Sequence, residues 1–171
     1  IGSLPYTGSL SAGDRFGHSL TCSDDGRQVM VGCSNATVNG NIEAGSVYIF
    51  NRNVQKFIVG PADTSGRFHP LGSMTAPVAV ILNGKFLVNQ DNSIIGAAGT
   101  FYIDGTAVVL NDQVAVGDVV EIETNQFSQQ QLITQQTVAE FTNFGQALAL
   151  CPYNCSLYIG VPQDSTTAWK G

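Results

Sequence analysis

The chain has 171 residues, a formal net charge of -6 and a pI of about 4.5. Only 12% of its residues are charged, against roughly 25% in typical globular proteins. The 43% of hydrophobic residues can build a core, which argues against bulk disorder. Lys and Arg total 7, too few for the clustered cations of a phosphate-binding surface, and no apolar run approaches the ~20 residues of a membrane-spanning helix. We therefore predict no nucleic-acid partner and no membrane insertion.

The four cysteines, Cys22, Cys33, Cys151 and Cys155, leave the disulfide state open. We favour small buried hydrophobic side chains, with a disulfide between the last two as the alternative. No Cys-x-x-Cys pair occurs and the two His residues lie far apart in the sequence, so we predict no metal site and no other cofactor. Because Ile1 is not an initiator Met, we expect the numbered chain to begin inside a longer polypeptide or after processing.

Turn-forming residues divide the whole chain into short segments. Gly and Asn recur about every 8–12 residues, and the runs between them are rich in β-branched and aromatic residues. No window shows a convincing apolar period of about 3.6, so we expect almost no helix. The predicted fold class is all-β, as a sandwich, barrel or propeller.

An internal repeat is the most informative feature of the sequence. Residues 16–32 align without gaps with residues 144–160, an offset of 128 positions (144 − 16). Each copy is predicted to form a strand, a polar turn and a second strand, in which Gly26 or Asn154 takes the positive φ of the turn. The residues that define this structural repeat are Phe16, Gly17, Leu20 and Gly32 in the first copy and Phe144, Gly145, Leu148 and Gly160 in the second.

The first copy continues towards further strands. A loop rich in Asn and Gly is followed by residues 45–50, which are predicted to form a third strand. Residues 51–53 are then expected to be a turn, and residues 54–59 a further strand. With these elements, residues 13–20, 25–26, 31–32 and 45–50 resemble one FG-GAP repeat, of the subtype without a calcium loop.

In the FG-GAP family each repeat contributes one four-stranded blade of a β-propeller. Residues 143–162 resemble the start of a second repeat, and residues 130–134 resemble the fourth blade strand that leads into it. The resemblance implies partial β-propeller blades. The two Phe-Gly pairs are nevertheless too far apart for one blade of roughly 40–60 residues, so we expect foreign sequence, placed at a loop at the blade edge.

The intervening sequence predicts a small antiparallel β domain. Asn83-Gly84 and Asp104-Gly105 are hairpin signals, and residues 117–123 alternate apolar and charged residues as a half-buried strand does. The predicted organisation is a first FG-GAP-like blade at 1–60, an inserted β-sandwich-like domain at 61–126, and a returning blade strand with the start of a second, truncated blade at 127–171.

The motifs of the insert carry a second resemblance. Asn83-Gly84, Tyr102, Asp104-Gly105-Thr106 and residues 117–122 are similar to small β domains in bacteriophage tail and tail-fibre proteins. Together with the blade repeats, this implies a structural component of a phage virion tail, of the nozzle or tubular type, that acts through subunit–subunit contacts. The implied partners are other copies of the chain, other tail proteins and, as a further candidate, a host surface glycan. The alternative is an extracellular receptor- or carbohydrate-binding adhesin module of the integrin-like propeller type.

The chain offers no recognisable catalytic motif. It has no Gly-x-Ser-x-Gly, no His-Glu-x-x-His and no glycine-rich phosphate loop, so we predict that it is not an enzyme. Ser23-Asp24-Asp25-Gly26 supplies only two adjacent acids, too few for a calcium loop. His18, His69, Glu121 and Glu123 are expected to be ordinary strand and linker residues.

The aromatic residues of the repeats allow two interpretations. Because aromatic side chains dominate packed cores, blade packing is favoured. A carbohydrate-binding platform is the alternative. The residues concerned are Phe16, Tyr48, Phe50, Phe144 and Tyr158.

Overall fold

A computed structural model describes residues 10–70, 77–90, 97–136, 140–151, 153 and 156–162. These residues confirm the all-β prediction, because their regular elements are strands. No helix among them is long and apolar enough to cross a membrane. They form a large mixed sheet that is not closed, and a separate two-stranded sheet. The chain divides into two compact units, unit 1 (Ile1–Arg52 with Phe127–Gly171) and unit 2 (Asn53–Gln126).

Eleven strands are found in the described residues. In chain order they are β1 (Phe16–Cys22), β2 (Gln28–Cys33), β3 (Ser46–Ile58), β4 (Arg67–Phe68), β5 (Pro77–Leu82), β6 (Lys85–Asn89), β7 (Thr100–Asp104), β8 (Ala107–Leu110), β9 (Val119–Ile133), β10 (Ala147–Leu150) and β11 (Leu157–Gly160).

Unit 1 contains β1, β2, the first part of β3 and the last part of β9, side by side in the order β1-β2-β3-β9. The antiparallel hairpin β10–β11 also belongs to this unit. Because side chains alternate along a strand, β2 contributes to both faces of its sheet. Val31 packs with Phe50 on one face, and Met30 packs with Val47 on the other.

Unit 2 arranges its strands in the order β9-β5-β6-β7-β8-β4. Its neighbours are antiparallel except β6 and β7, which pair in parallel. Apolar residues from all of these strands, and from the end of β3, meet in one core. The fully enclosed members of that core include Val59, Val80, Phe101, Val108, Val120 and Ile122.

Two strands are longer than the sequence predicted. β3 continues without a break to Ile58, so the predicted turn at 51–53 is wrong. The segment stays extended because Asn51 pairs with Gln28 and the Arg52 amide donates to the Arg27 carbonyl at 2.7 Å. β9 likewise joins the segments predicted as separate strands at 117–123 and 130–134 into one strand.

The second hairpin turn of unit 2 also differs from the prediction. Asp104 pairs with Ala107, so the two turn residues are Gly105 and Thr106 rather than Asp104 and Gly105. Gly105 has a φ of 62°, and a Gly is what a type II′ turn requires at this first position. Unit 2 begins at Asn53, before the predicted start of the insert at residue 61. The predicted domain boundaries stay a prediction.

A hydrogen-bonded clamp holds the first hairpin turn of unit 2. Asn83 and Gly84 have φ values of 48° and 82°, as in a type I′ turn. The Asn83 amide nitrogen Nδ2 donates to Asp118 Oδ1 at 2.8 Å, and Ala115 N donates to Asp118 Oδ2 at 2.7 Å. The backbone hydrogen bond from Ala115, and then the side-chain bond from Asn83, lower the pKa of Asp118 below its usual 3.8.

Replacing Asp118→Asn should lower the urea concentration at which the protein unfolds at about pH 7. The folded-state pKa is depressed, so this contribution is fully present above pH 3.8 and is lost as the pH falls through the folded pKa. As the pH is lowered below 3.8, the difference in unfolding midpoint between the variant and the wild type should therefore shrink. Asp24→Asn, which removes an exposed carboxylate from unit 1, is the control for loss of charge. A difference that keeps its full size as the pH falls below 3.8 would contradict the clamp.

Candidate functional site

The hairpins β1–β2 and β10–β11 have the same register. Each pair of the second hairpin corresponds to a pair of the first at the sequence offset found above. The corresponding pairs are Ser19–Gly32 with Ala147–Gly160, Leu20–Val31 with Leu148–Ile159, Thr21–Met30 with Ala149–Tyr158, and Cys22–Val29 with Leu150–Leu157.

This common register defines two comparable faces, because paired residues point to the same side of a hairpin. We call one side the front face: Leu20, Cys22, Val29 and Val31 in the first hairpin, and Leu148, Leu150, Leu157 and Ile159 in the second. The other side is the back face: Ser19, Thr21, Met30 and Gly32 in the first hairpin, and Ala147, Ala149, Tyr158 and Gly160 in the second.

The segments that lead into the hairpins share an unusual backbone. Three alternate residues in each have positive φ, which non-glycine residues seldom adopt. The φ values are 104°, 57° and 88° at Gly13, Arg15 and Gly17, and 58°, 52° and 85° at Phe141, Asn143 and Gly145. Because the two sets again lie at the same offset, the structural equivalence extends beyond the strands.

Local hydrogen bonds repeat in the same way. The His18 amide donates to the Arg15 carbonyl at 3.0 Å, and the Gln146 amide donates to the Asn143 carbonyl at 3.1 Å. At the hairpin turns, the corresponding bonds are Ser23 N to Gln28 O at 3.0 Å and Cys151 N to Ser156 O at 2.9 Å. The predicted turn residue Asn154 lies outside the described residues.

A backbone ladder joins the second copy to the loop before β3. Three amides donate to three successive carbonyls: Phe141 N to Ile42 O at 2.9 Å, Asn143 N to Glu43 O at 3.0 Å, and Phe144 N to Ala44 O at 3.0 Å. The buried hydroxyl of Thr142 also donates to Ala44 O, at 2.8 Å. Gly45 and Phe144 then form a parallel bridge.

Two glycines of the first copy allow this close approach. A β-carbon on Gly32 would overlap the carbonyl oxygen of Gly145 and the hydroxyl oxygen of Ser19. A β-carbon on Gly45 would overlap the backbone of Phe144, and Gly45 also has a φ of 82°. In addition, Ser19 Oγ donates to Gly145 O at 2.6 Å. The two copies therefore meet through backbone, where no larger residue fits.

The front face of the second hairpin packs against the back face of the first. Met30, Val47 and Phe144 are buried in this contact, and the partly buried residues packed on them include Leu148, Leu150, Leu157 and Ile159. The two faces in contact are different faces of equivalent hairpins. The contact is therefore heterologous.

The predicted repeat residues do not all reach this contact. Gly32, Phe144, Gly145 and Leu148 meet there. Phe16 instead packs edge to face against Tyr48 and Phe50, with ring centroids 5.5 and 6.3 Å apart. Gly17 has positive φ with open space around it, Leu20 is exposed, and a β-carbon on Gly160 would lie 3.1 Å from that of Ala147.

Sequence reasoning missed several residues of the contact. Met30, Ser19 and Thr142 were not singled out as site residues, and Gly45 and Val47 were assigned only to a predicted strand, although all five lie in the contact. The positions at which the two aligned copies differ could have indicated these residues: Met30 is matched with Tyr158, and Ser19 with Ala147. An interface requires different residues at equivalent positions, whereas a repeat is recognised from identical ones.

The cysteines have three different environments. Cys33 is buried, and burial first, then the nearby charge of Asp14, raise the pKa of its thiol to about 11. Cys151 is a half-buried free thiol, and Cys155 lies outside the described residues. The expectation of a buried side chain is wrong for Cys22, which is exposed on the front face.

The carboxylates considered for chemistry serve turns and strand contacts. Asp25 accepts hydrogen bonds from Ser23 Oγ at 2.6 Å and from Arg27 N at 3.0 Å, in that order the main causes that lower its pKa. Glu121 pairs with Lys56 at 3.6 Å. Among the described residues, no group of three or more His, Cys, Asp or Glu side chains could hold a metal ion.

Gly45→Ala should destabilise the protein more than Gly40→Ala. Both residues lie in one loop with similar φ values, 82° and 85°, but a β-carbon on Gly40 meets nothing within 4 Å. The control should lose only the about 1–2 kcal/mol of a left-handed alanine, and Gly45→Ala about 1–3 kcal/mol more. Urea unfolding measures the difference, and amide exchange at Phe141, Asn143 and Phe144 should accelerate only in Gly45→Ala. Equal losses in the two variants would show that the close approach does not hold the copies together.

Comparison with known proteins adds no relative. No protein-family model matches the chain, and neither the curated proteins nor the solved structures contain a match.

Proposed function

We propose that the protein is a structural component of a phage virion tail, of the nozzle or tubular type, and that it works by packing like units face to face. The observation that carries the proposal is the heterologous contact between the two hairpins of unit 1. A contact between different faces of like units adds units in one direction, so it closes rings or extends into tubes. A tail tube or collar requires this kind of repetition.

The strand arrangement of unit 1 supports the finer proposal of propeller blades. Its strands β1, β2, β3 and β9 lie side by side, and a propeller blade is a four-stranded sheet. On this proposal, β10–β11 is the first half of the next blade. The FG-GAP resemblance and the repeated lead-in backbone support the same assignment.

The insert supports the assignment to a tail. Asn83, Gly84 and Asp118, which belong to the motif similar to phage tail domains, build the clamp of the first hairpin turn. On β6 of the same unit, Phe86 and Val88 expose apolar side chains. Exposed apolar side chains that lie together favour contact with another protein, which here would be a neighbouring tail subunit.

The proposal predicts that the chain is found in the tail of the virion. Antibody-gold labelling of purified particles should mark the tail, and disruption of the coding sequence should yield particles with incomplete tails. Supplying the wild-type chain or Gly40→Ala should restore tails, whereas Gly45→Ala should restore them less well because its repeats dock poorly. Label on the capsid, or intact tails without the chain, would refute the proposal.

Exposed aromatic rings favour one second candidate, the adhesin. Of the five aromatic residues considered for a platform, Phe16, Tyr48, Phe50 and Phe144 pack inside unit 1, whereas Tyr158 is exposed. Such a ring can stack on a sugar through its apolar face. Glycan binding by the full chain that is lost in Tyr158→Ala, and kept in Tyr153→Ala at the exposed turn, would favour this candidate. Absence of glycan binding by the wild type would remove it.

A further inference from the structure

Each hairpin of unit 1 keeps some residues exposed on one face, and the exposed residues of the two hairpins lie on opposite faces. At two pairs of equivalent positions, exposure is reversed between the two copies. Met30 is 2% exposed, whereas Tyr158, its equivalent, is 60% exposed. Leu20 is 65% exposed, whereas Leu148, its equivalent, packs in the contact between the hairpins.

The exposed residues form one small patch on each hairpin. On the front face of the first hairpin, Leu20 and Cys22 of β1 are exposed, whereas Val29 and Val31 of β2 pack in the core of unit 1. On the back face of the second hairpin, Ala147, Ala149 and Tyr158 are exposed. The patch at Leu20 thus lies on the front face, which is the face that the second hairpin packs on the first. The patch at Tyr158 lies on the back face, which is the face of the first hairpin that is covered in this contact.

The contact between the two hairpins within one chain indicates how the exposed residues can be covered. Leu148 and Leu150, the equivalents of Leu20 and Cys22, already pack at Met30. The back face of the first hairpin has the small residues Ser19, Thr21 and Gly32 around Met30. The back face of the second hairpin has Ala147, Ala149 and Gly160 around Tyr158. Both back faces therefore combine small residues with one long side chain.

We propose that a second copy of this chain docks head to tail, with Leu20 and Cys22 on the front face of its first hairpin against the back face of the second hairpin of this copy. The proposal rests on the proposed function, which requires like units to pack, and it adds the partner and the two faces. The contact repeats, between chains, the arrangement seen between the hairpins within one chain. Because its two faces differ, each copy keeps one open face for the next.

Charge favours an apolar contact of this kind. Neither of the two faces carries a charged residue, although each copy has a net charge of -6. Two such copies repel at long range, and salt screens this repulsion without weakening apolar contact. Association should therefore strengthen when the salt concentration is raised.

The test is a mixing experiment on the full chain by analytical ultracentrifugation. Leu20→Asp and Tyr158→Asp should each weaken self-association at least about tenfold. Leu20→Asp keeps an intact back face and Tyr158→Asp an intact front face, so an equimolar mixture should form one-to-one pairs. Both substitutions replace exposed side chains, and unfolding midpoints of the monomers check that the fold is kept. Val116→Asp, at a 61% exposed position of unit 2, is the matched control and should associate as the wild type does.

A wild type that stays monomeric from micromolar to hundred-micromolar concentration would overturn the proposal, as would a mixture of the two variants that forms no pairs. Equal weakening by Val116→Asp would do so too, because it would indicate contact through other surfaces. Failure of the proposed function is a separate outcome. Association as described by a chain that is absent from virion tails would remove the tail function and leave the interface, and the reverse result would remove only the interface.

Discussion

The backbone of the second copy lies against two glycines of the first, and unit 1 depends on this approach. Gly32 and Gly45 have no room for a β-carbon because the backbones of Gly145 and Phe144 occupy that space. The approach allows three amides of the second copy to reach three successive carbonyls of the loop before β3. It also places the Phe144 ring beside Met30 and Val47, where burial of apolar surface stabilises the contact.

The same local structure has opposite surroundings in the two hairpins. Their registers, turn hydrogen bonds and positive φ values agree, yet Met30 is buried where its equivalent Tyr158 is exposed, and Leu20 is exposed where its equivalent Leu148 packs. Local geometry therefore does not determine which face is buried; the neighbour that docks does. This asymmetry makes a contact within the chain informative about contacts between chains.

Strands β3 and β9 carry the chain from unit 1 into unit 2 and back. A loop insertion was expected at this place, but the structure extends both strands instead. An extended strand offers its amides and carbonyls to a hydrogen-bonded ladder, and Asn51 and Arg52 use theirs to pair with the segment that contains Arg27 and Gln28. Arg52 and Phe127, at the edges of unit 1 on these strands, stack with the guanidinium 5.4 Å from the ring centre.

The sequence by itself determined the all-β class, the strand–turn–strand form of both repeat copies and the Asn83-Gly84 turn. These features depend on alternation and on turn residues, which act over a few neighbouring positions. Only the tertiary structure decided that residues 51–53 remain extended, because their pairing with β2 outweighs a turn-like composition. It also decided that Met30 is buried and Tyr158 exposed. Burial at an equivalent position depends on what docks there, and docking brings together residues that are distant in sequence.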